Sequence, residues 1–424
     1  MSETIGADVA VIGAGPAGIT AAAVAAESGR RVVVLDEGRH PGGQVWRHTD
    51  RAALPGTAAH LIDRLERSGA RVLEGATVFD IAPGFRVFAE RHGEAVQIRT
   101  GRVILATGAR ERFLPFPGWT LPNVVGVGGA QALLKSGASF AGKRVVVAGS
   151  GPLLLAVAAA LARAGAKIAV VAERAPWLRV ARFALGLWRR PRDLAAALRF
   201  RWAFLGARYR WGTWVASAEG DARVQRVTLT DGRRSWTENC DVLCTAAGLV
   251  PATELARLAG CDVHDGAVRV DDRMRTSAPE IWCAGEPVGV GGVDVAAIEG
   301  EIAGRDAAGA PVPASLARAR RGGRAYAGRI AAAFSPEASW RAAPPADTIV
   351  CRCEDVRMAA LRPGWTPRQA KLYTRAGMGP CQGRVCGPAL EVLFDWLRDA
   401  VRAPIAPVSV HTLLDSWESI DARP

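Results

Sequence analysis

Apolar residues along this chain fall in short runs separated by glycine-rich turns and long small-residue stretches. That is the rhythm of buried parallel strands alternating with helices. The run over residues 8–12 leads into Gly13, Ala14, Gly15, Pro16, Ala17 and Gly18, then an alanine-rich stretch, then "RRVVVLDEG" ending on Asp36 and Glu37. Strand, turn, helix and strand recur over 143–173 in "KRVVVAGSGPLLLAVAAALARAGAKIAVVAE". Two further apolar strands end in Ala106-Thr107-Gly108 and in Ala284-Gly285-Glu286, the second followed by glycines and a helical stretch. The expected fold class is α/β, with two Rossmann-like dinucleotide-binding domains and a small helical C-terminal domain. The boundaries read as a first domain at 1–118, an inserted domain at 119–250, a return to the first domain at 251–310, a Pro/Gly/Arg linker with one helical piece at 311–346, and a last domain at 347–424.

The first turn has the chemistry of a dinucleotide site. Gly13 permits the tight turn, Gly15 lets backbone approach a pyrophosphate, and Gly18 allows close helix–strand packing. The helix N-terminus offers free N–H groups and its positive dipole end. Asp36, 23 residues after Gly13, is placed for the ribose hydroxyls. In the second copy Gly149 and Gly151 are present, but Leu154 stands at the third glycine. Counting 23 residues from Gly149 reaches Ala172, with Glu173 one place late. A leucine there holds the helix further from the strand, so a nucleotide-binding fold is expected and occupancy by NAD(P) is left open.

Of eight cysteines, Cys351, Cys353, Cys381 and Cys386 fall in the last 74 residues as C-x-C, a gap of 27, and C-x4-C. Thr366 reads as an N-cap, Pro367 as the first helical residue, Gly377 as a C-cap and Pro388 as the opening of an amphipathic helix. The C-x-C is expected in a loop entering a helix. Four thiolates in loops at helix ends suit an iron–sulfur cluster, whose charge helix N-termini and loop amides offset. C-x-C is an awkward chelate for zinc, but zinc and four unliganded thiols remain alternatives. Cys240, Cys244, Cys261 and Cys283 read as core residues, with Cys240 and Cys244 on one face of a strand.

Charge changes the picture less. The net charge of +13 comes almost wholly from scattered arginine, which argues for a solvated face and against a nucleic-acid partner. The opening strand leaves no room for a signal peptide, and no apolar stretch is long enough to span a bilayer. A cytoplasmic protein is expected, with membrane association through partners as an alternative. Residues 174–215 stand apart: Trp177, Trp188, Trp202, Trp211 and Trp214 are interleaved with arginine and phenylalanine. They read as a helical pair packing its apolar stripe on its own domain, with a partner-docking surface or a membrane-surface role as alternatives.

"GAGPAG", Asp36, "PGGQ" (41–44), "ATG" (106–108) and "CAGE" resemble the two-dinucleotide-domain flavoproteins of the pyridine nucleotide–disulfide oxidoreductase type. The resemblance implies FAD, with Gly42, Gly43 and Gln44 beside the flavin and Gly285 and Glu286 at its ribityl and phosphate region. Glu286 stands where that family usually has Asp. His40 and His48, flanking "PGGQ", read as surface or flavin-packing residues. No cysteine follows "PGGQ" or lies in 125–137, so a redox disulfide is not expected. The cysteine segment resembles the bacterioferritin-associated-ferredoxin-like [2Fe–2S] domain. The whole order is similar to the alpha-type subunits of heteromeric amine and amino-acid dehydrogenases, among them D-hydroxyproline dehydrogenase, opine oxidase and hydrogen cyanide synthase. By that resemblance the chain is one component, holding FAD and [2Fe–2S], of an oxidoreductase for CH–NH donors. It relays electrons from a D-amino-acid-oxidase-like catalytic flavoprotein, with a small third component in some complexes. Chain length leans the substrate toward D-hydroxyproline, and no catalytic base is assigned. A stand-alone NAD(P)H-dependent reductase and a non-catalytic iron–sulfur module are the alternatives.

Overall fold

A computed structural model describes residues 3–334, 338–397 and 401–420. The chain divides into two compact units, one of residues 1–110, 250–327 and 399–424, the other of 111–249 and 328–398.

The first unit is built on a five-stranded parallel sheet in the order Ile281–Cys283, Val103–Leu105, Val9–Ile12, Val32–Asp36, Arg71–Glu74. Val9, Val11, Val34 and Ile104 face a core shared with the helices Pro16–Glu27 and Val293–Ala308. Ala10, Ile12, Val33 and Leu105 face a second core, which a four-stranded sheet (Glu3–Gly6, Glu94–Arg99, Arg86–Arg91, Ala76–Ala82) helps to close. Burial on both faces explains why these strands read as unbroken apolar runs. The two helices touch backbone to backbone: a Cβ on Gly300 or Gly304 would collide with the carbonyl of Ala17 or Ala21. Residues 405–413 pack on Phe79 and Phe88, and the Ile405 N–H donates to the Phe79 carbonyl at 3.0 Å. The C-terminal residues therefore cluster with this unit rather than with the cysteine segment.

The second unit has a parallel sheet in the order Val124–Gly126, Val242–Ala246, Arg144–Gly149, Lys167–Glu173, Arg208–Trp211. It also holds a three-stranded antiparallel sheet over 214–239. The helical pair expected after residue 174 is present as Trp177–Leu185 and Pro191–Trp202. Cys244 lies on one face of its strand and Cys240 in the core of the other face. The expectation of one shared face fails because the strand begins only at Val242, after the chain turns at Asp241. Both are buried, and burial pushes each thiol up to about 12.

The helical piece expected in the linker is a 21-residue helix, Ala314–Phe334. Its Gly323 is there for packing, since a Cβ would lie 2.5 Å from Val295 Cγ2. The C-x-C segment forms a small hairpin, Ile349–Cys351 with Val356–Arg357, rather than entering a helix. The helix Pro367–Thr374 is N-capped by Thr366 through a full capping box with Gln369, but Arg375, not Gly377, is the left-handed C-cap. The last helix of the segment opens at Cys386, two residues before Pro388.

Candidate functional site

In the first unit the sequence-distant glycine turns converge. The Gly13 N–H donates to Leu35 O at 2.7 Å, the Gly42 N–H to Ala14 O at 2.7 Å, the Ala106 N–H to Ile12 O at 2.8 Å, and the Ala284 N–H to Leu105 O at 2.9 Å. Gly13 has φ +102°, and a Cβ there would strike the Ala106 carbonyl, while one on Gly18 would strike Gly13's own carbonyl. A Cβ on Gly43 would sit 2.9 Å from Gly15 Cα, and one on Gly285 2.9 Å from Ala17 Cβ. Thr107 Oγ1 donates to Ala252 O at 2.7 Å, and Gly108 O accepts from the Ala252 N–H at 3.0 Å. Gly15 is the N-cap of Pro16–Glu27, with no side chain capping the helix and open space where its Cβ would stand. The amides of that N-terminus are left for a ligand.

Asp36 closes the turn from the other side. Its Oδ2 accepts the Ala14 N–H at 2.5 Å and its Oδ1 the Gly38 N–H at 2.7 Å. Glu37 and Gln44 are exposed at the rim. Glu286 Oε1 accepts from the N–H groups of Gly292 (2.8 Å) and Gly291 (3.3 Å), while its Oε2 is buried with no partner. Burial raises this carboxyl above its usual range, against those two hydrogen bonds. His40 and His48 lie ring to ring at 5.5 Å; His48 Nδ1 pairs with Trp46 O at 2.9 Å and His40 Nδ1 lies 3.8 Å from Glu74.

Sequence reasoning missed the residues that hold the Gly285 turn. Glu299, fully buried, accepts the Gly285 N–H at 3.1 Å and is bound by Arg320 and Arg324. Arg324 also donates to Gly289 O at 2.6 Å. Both arginines sit in the stretch read as a linker; their i, i+4 spacing beside a helical pattern was the available signal.

The second unit repeats the acid-on-turn arrangement. Glu173 Oε2 accepts the Gly151 N–H at 3.1 Å and Oε1 the Ala175 N–H at 2.8 Å. It is fully buried, and burial raises its carboxyl against those hydrogen bonds. The acid one place late is therefore the counterpart of Asp36: a bulge between Ile168 and Val170 takes up the extra residue, so that Glu173 stands opposite Gly149. Leu154 is fully buried in the core between sheet and helices. The Ser150 hydroxyl donates to Phe334 O at 3.2 Å.

The four C-terminal cysteines come together as two pairs. The Cys351 and Cys386 thiols are hydrogen-bonded, and so are those of Cys353 and Cys381. The Cys386 bond and the backbone N–H groups of Gly377, Glu354 and Cys353 hold the Cys351 thiol down at about 5 despite burial. Burial pushes Cys353 up, and the bond to Cys351 pushes Cys386 up further. Gly377 (φ +81°) and Gly383 (φ +76°) bring their Cα regions together beside Cys386, and a Cβ on Gly379 would overlap Cys353. Among the described residues no group of three or more His, Cys, Asp or Glu is arranged to hold one metal ion. The two pairs also adjoin each other, since Cys353 feels the charge of Cys351 and Cys386 that of Cys381.

Residues 7–300 match the family model described as pyridine nucleotide-disulphide oxidoreductase. The chain belongs to that family. Within it, the opine oxidase A component of Rhizobium meliloti (strain 1021) is 33% identical, over 97% of this chain and 99% of its own length. The HcnB component of hydrogen cyanide synthase from Pseudomonas aeruginosa is 32% identical over 94% of this chain and 96% of its own. In fold, L-proline dehydrogenase from P. horikoshii matches with a TM-score of 0.68 over 97% of this chain and 80% of that one, at 22% identity. The relatives and the family fold make this oxidoreductase one component of a flavin enzyme. Its cysteines are nonetheless all free, and the converging turns of the first unit contain none.

Proposed function

We propose that the chain is the electron-relaying component of a heteromeric flavin dehydrogenase that oxidises a secondary amine or amino acid. The observation that carries this is the paired set of four thiols in a chain similar from end to end to the opine oxidase A component. The bare Pro16–Glu27 N-terminus, the open space at Gly15 and the orphaned Glu286 oxygen fit FAD. Gly13 to Gly18 then cradle the pyrophosphate and Asp36 and Glu37 serve the ribose. Gly42, Gly43, Gln44 and Ala106 to Gly108 border the flavin, with Gly285 and Glu286 at the ribityl and phosphate region. Cys351, Cys353, Cys381 and Cys386 would hold a [2Fe–2S] cluster through their four thiolates, and the cluster would supply a one-electron carrier. The C-x-C spacing is an awkward chelate for zinc, which favours the cluster. Backbone N–H groups of Gly377, Glu354 and Cys353 already face sulfur and offset thiolate charge. When bound, FAD exchanges electrons in pairs or singly, and a two-iron cluster carries one at a time.

Amine oxidation, which removes two electrons and two protons across a C–N bond to leave an imine, belongs to a D-amino-acid-oxidase-like partner, with a small third component completing some complexes. Opines and D-hydroxyproline are both secondary amines and are the substrates to screen first. The test is dye reduction with such amines by the isolated chain and by the chain co-expressed with its partner. The relay reading expects activity only in the complex; amine-dependent reduction by the chain alone overturns it.

Glu173, found in the acid's place, favours a second reading: an NAD(P)H-dependent reductase running electrons the other way. Stopped-flow mixing with NADH and with NADPH separates the two, because only the reductase bleaches its flavin on mixing.

A further inference from the structure

The helical pair of the second unit has two apolar stripes, and only one is covered. Phe183 stacks edge-on against Phe334 at 5.5 Å, and Leu187 and Phe204 are buried. On the outward side Leu185 is 74% exposed, Trp188 69% and Trp202 76%, with Trp177, Leu178 and Leu198 beside them. A shallow groove of about 440 Å³ between Arg163, Leu198, Arg199 and Trp202 continues this surface. A stripe packed only on its own domain, as the sequence suggested, accounts for half of the pattern.

The chemistry of the segment selects what covers the other half. From 177 to 205 every residue except Asp193 is apolar, glycine, proline or arginine, with seven arginines against that one acid. Asp193 is itself engaged by Arg190 at 3.3 Å. Arginine and tryptophan side chains donate hydrogen bonds and accept none. The surface is thus donor-only, cationic and apolar at once. A protein interface is built on about one hydrogen bond per 100–200 Å², with donors and acceptors on both sides. The headgroup layer of an anionic bilayer offers only what this surface lacks: phosphate acceptors, negative charge, and hydrocarbon below for tryptophan and leucine. Neither helix, of 9 and 12 residues, is long enough to cross. We propose that this segment binds the surface of an anionic membrane, lying in its plane with Trp177, Leu185, Trp188 and Trp202 inserted and the arginines on lipid phosphates.

The proposal is independent of the redox reading, and its test needs no substrate. The full chain is floated with vesicles of phosphatidylcholine alone and of phosphatidylcholine mixed with phosphatidylglycerol. It should float with the mixed vesicles only, and high salt should release it. Arg189→Gln with Arg192→Gln should weaken partition about thirtyfold, at roughly 1 kcal/mol per arginine. Trp188→Ser with Trp202→Ser should weaken it about tenfold or more. Both variants should keep the parent's thermal midpoint, since all four side chains are exposed or lie at the rim. No flotation, equal flotation with neutral vesicles, or variants that float like the parent would overturn the proposal. So would loss of a co-purifying partner protein from the same variants when the parent ignores vesicles; that outcome assigns the surface to a protein.

Discussion

Arg324 closes on Glu299 with two parallel hydrogen bonds, Nε to Oε1 at 2.8 Å and Nη2 to Oε2 at 2.6 Å. Glu299 in turn accepts the Gly285 N–H, and Arg324 donates to the carbonyls of Gly285 (3.3 Å) and Gly289 (2.6 Å). A buried carboxylate and its arginine therefore fix the turn that carries Glu286. Removing the arginine leaves a fully buried charge with Arg320 alone. Arg324→Ala should cost about 3–5 kcal/mol, and Arg324→Lys less, because a lysine keeps the charge without the fork. Thermal and urea melts of the three proteins check this; an alanine variant as stable as the parent contradicts it.

Glu286 gives a pH signature. Burial raises its carboxyl above the usual 4.5 in the folded protein. A raised acid contributes stability below its unfolded value and loses it as pH rises through the folded value. The flavin-free parent should therefore lose stability relative to Glu286→Gln on going from below pH 4.5 to neutral. Paired melts across that range measure the gap, which should widen with pH.

Glu173 satisfies two buried N–H groups of the second turn, from Gly151 and Ala175. Glu173→Ala should leave both without an acceptor and cost about 1–3 kcal/mol for each. Glu173→Gln keeps one acceptor oxygen and should fall between. Urea midpoints of the three proteins order the series.

The thiol pairs and the glycine turns belong to different compact units. Cys351→Ser or Cys353→Ser should therefore strip iron while leaving flavin content near the parent's. Iron and flavin quantification on the same samples reads both; parallel loss of flavin would contradict independent sites.

The strands and turns of both nucleotide folds were legible because apolar runs and glycines report burial and close backbone approach directly. Gly13, Gly18 and Gly285 each sit where a side chain would collide. Glu173 was harder to see, because residue counting does not register the bulge between Ile168 and Val170 that takes up one position. The helical piece in the linker was legible, but its 21-residue length was masked by "RRGGR", where Gly323 serves contact with Val295 rather than flexibility. The second stripe of the Trp/Arg helices was invisible for another reason. Periodicity shows that apolar positions repeat, but only packing shows which repeat is covered. Pairing among the four cysteines is likewise a property of the folded hairpin and the glycines at 377 and 383, not of C-x-C spacing.

The relay account is tested most directly by electron paramagnetic resonance of the purified chain, frozen after stoichiometric reduction. A half-integer spin signal equal in amount to the chain, and lost in Cys351→Ser, is the result expected of a two-iron cluster held by the four thiols. Iron-free protein, or a chain silent after reduction with its cysteines holding zinc, would contradict the account.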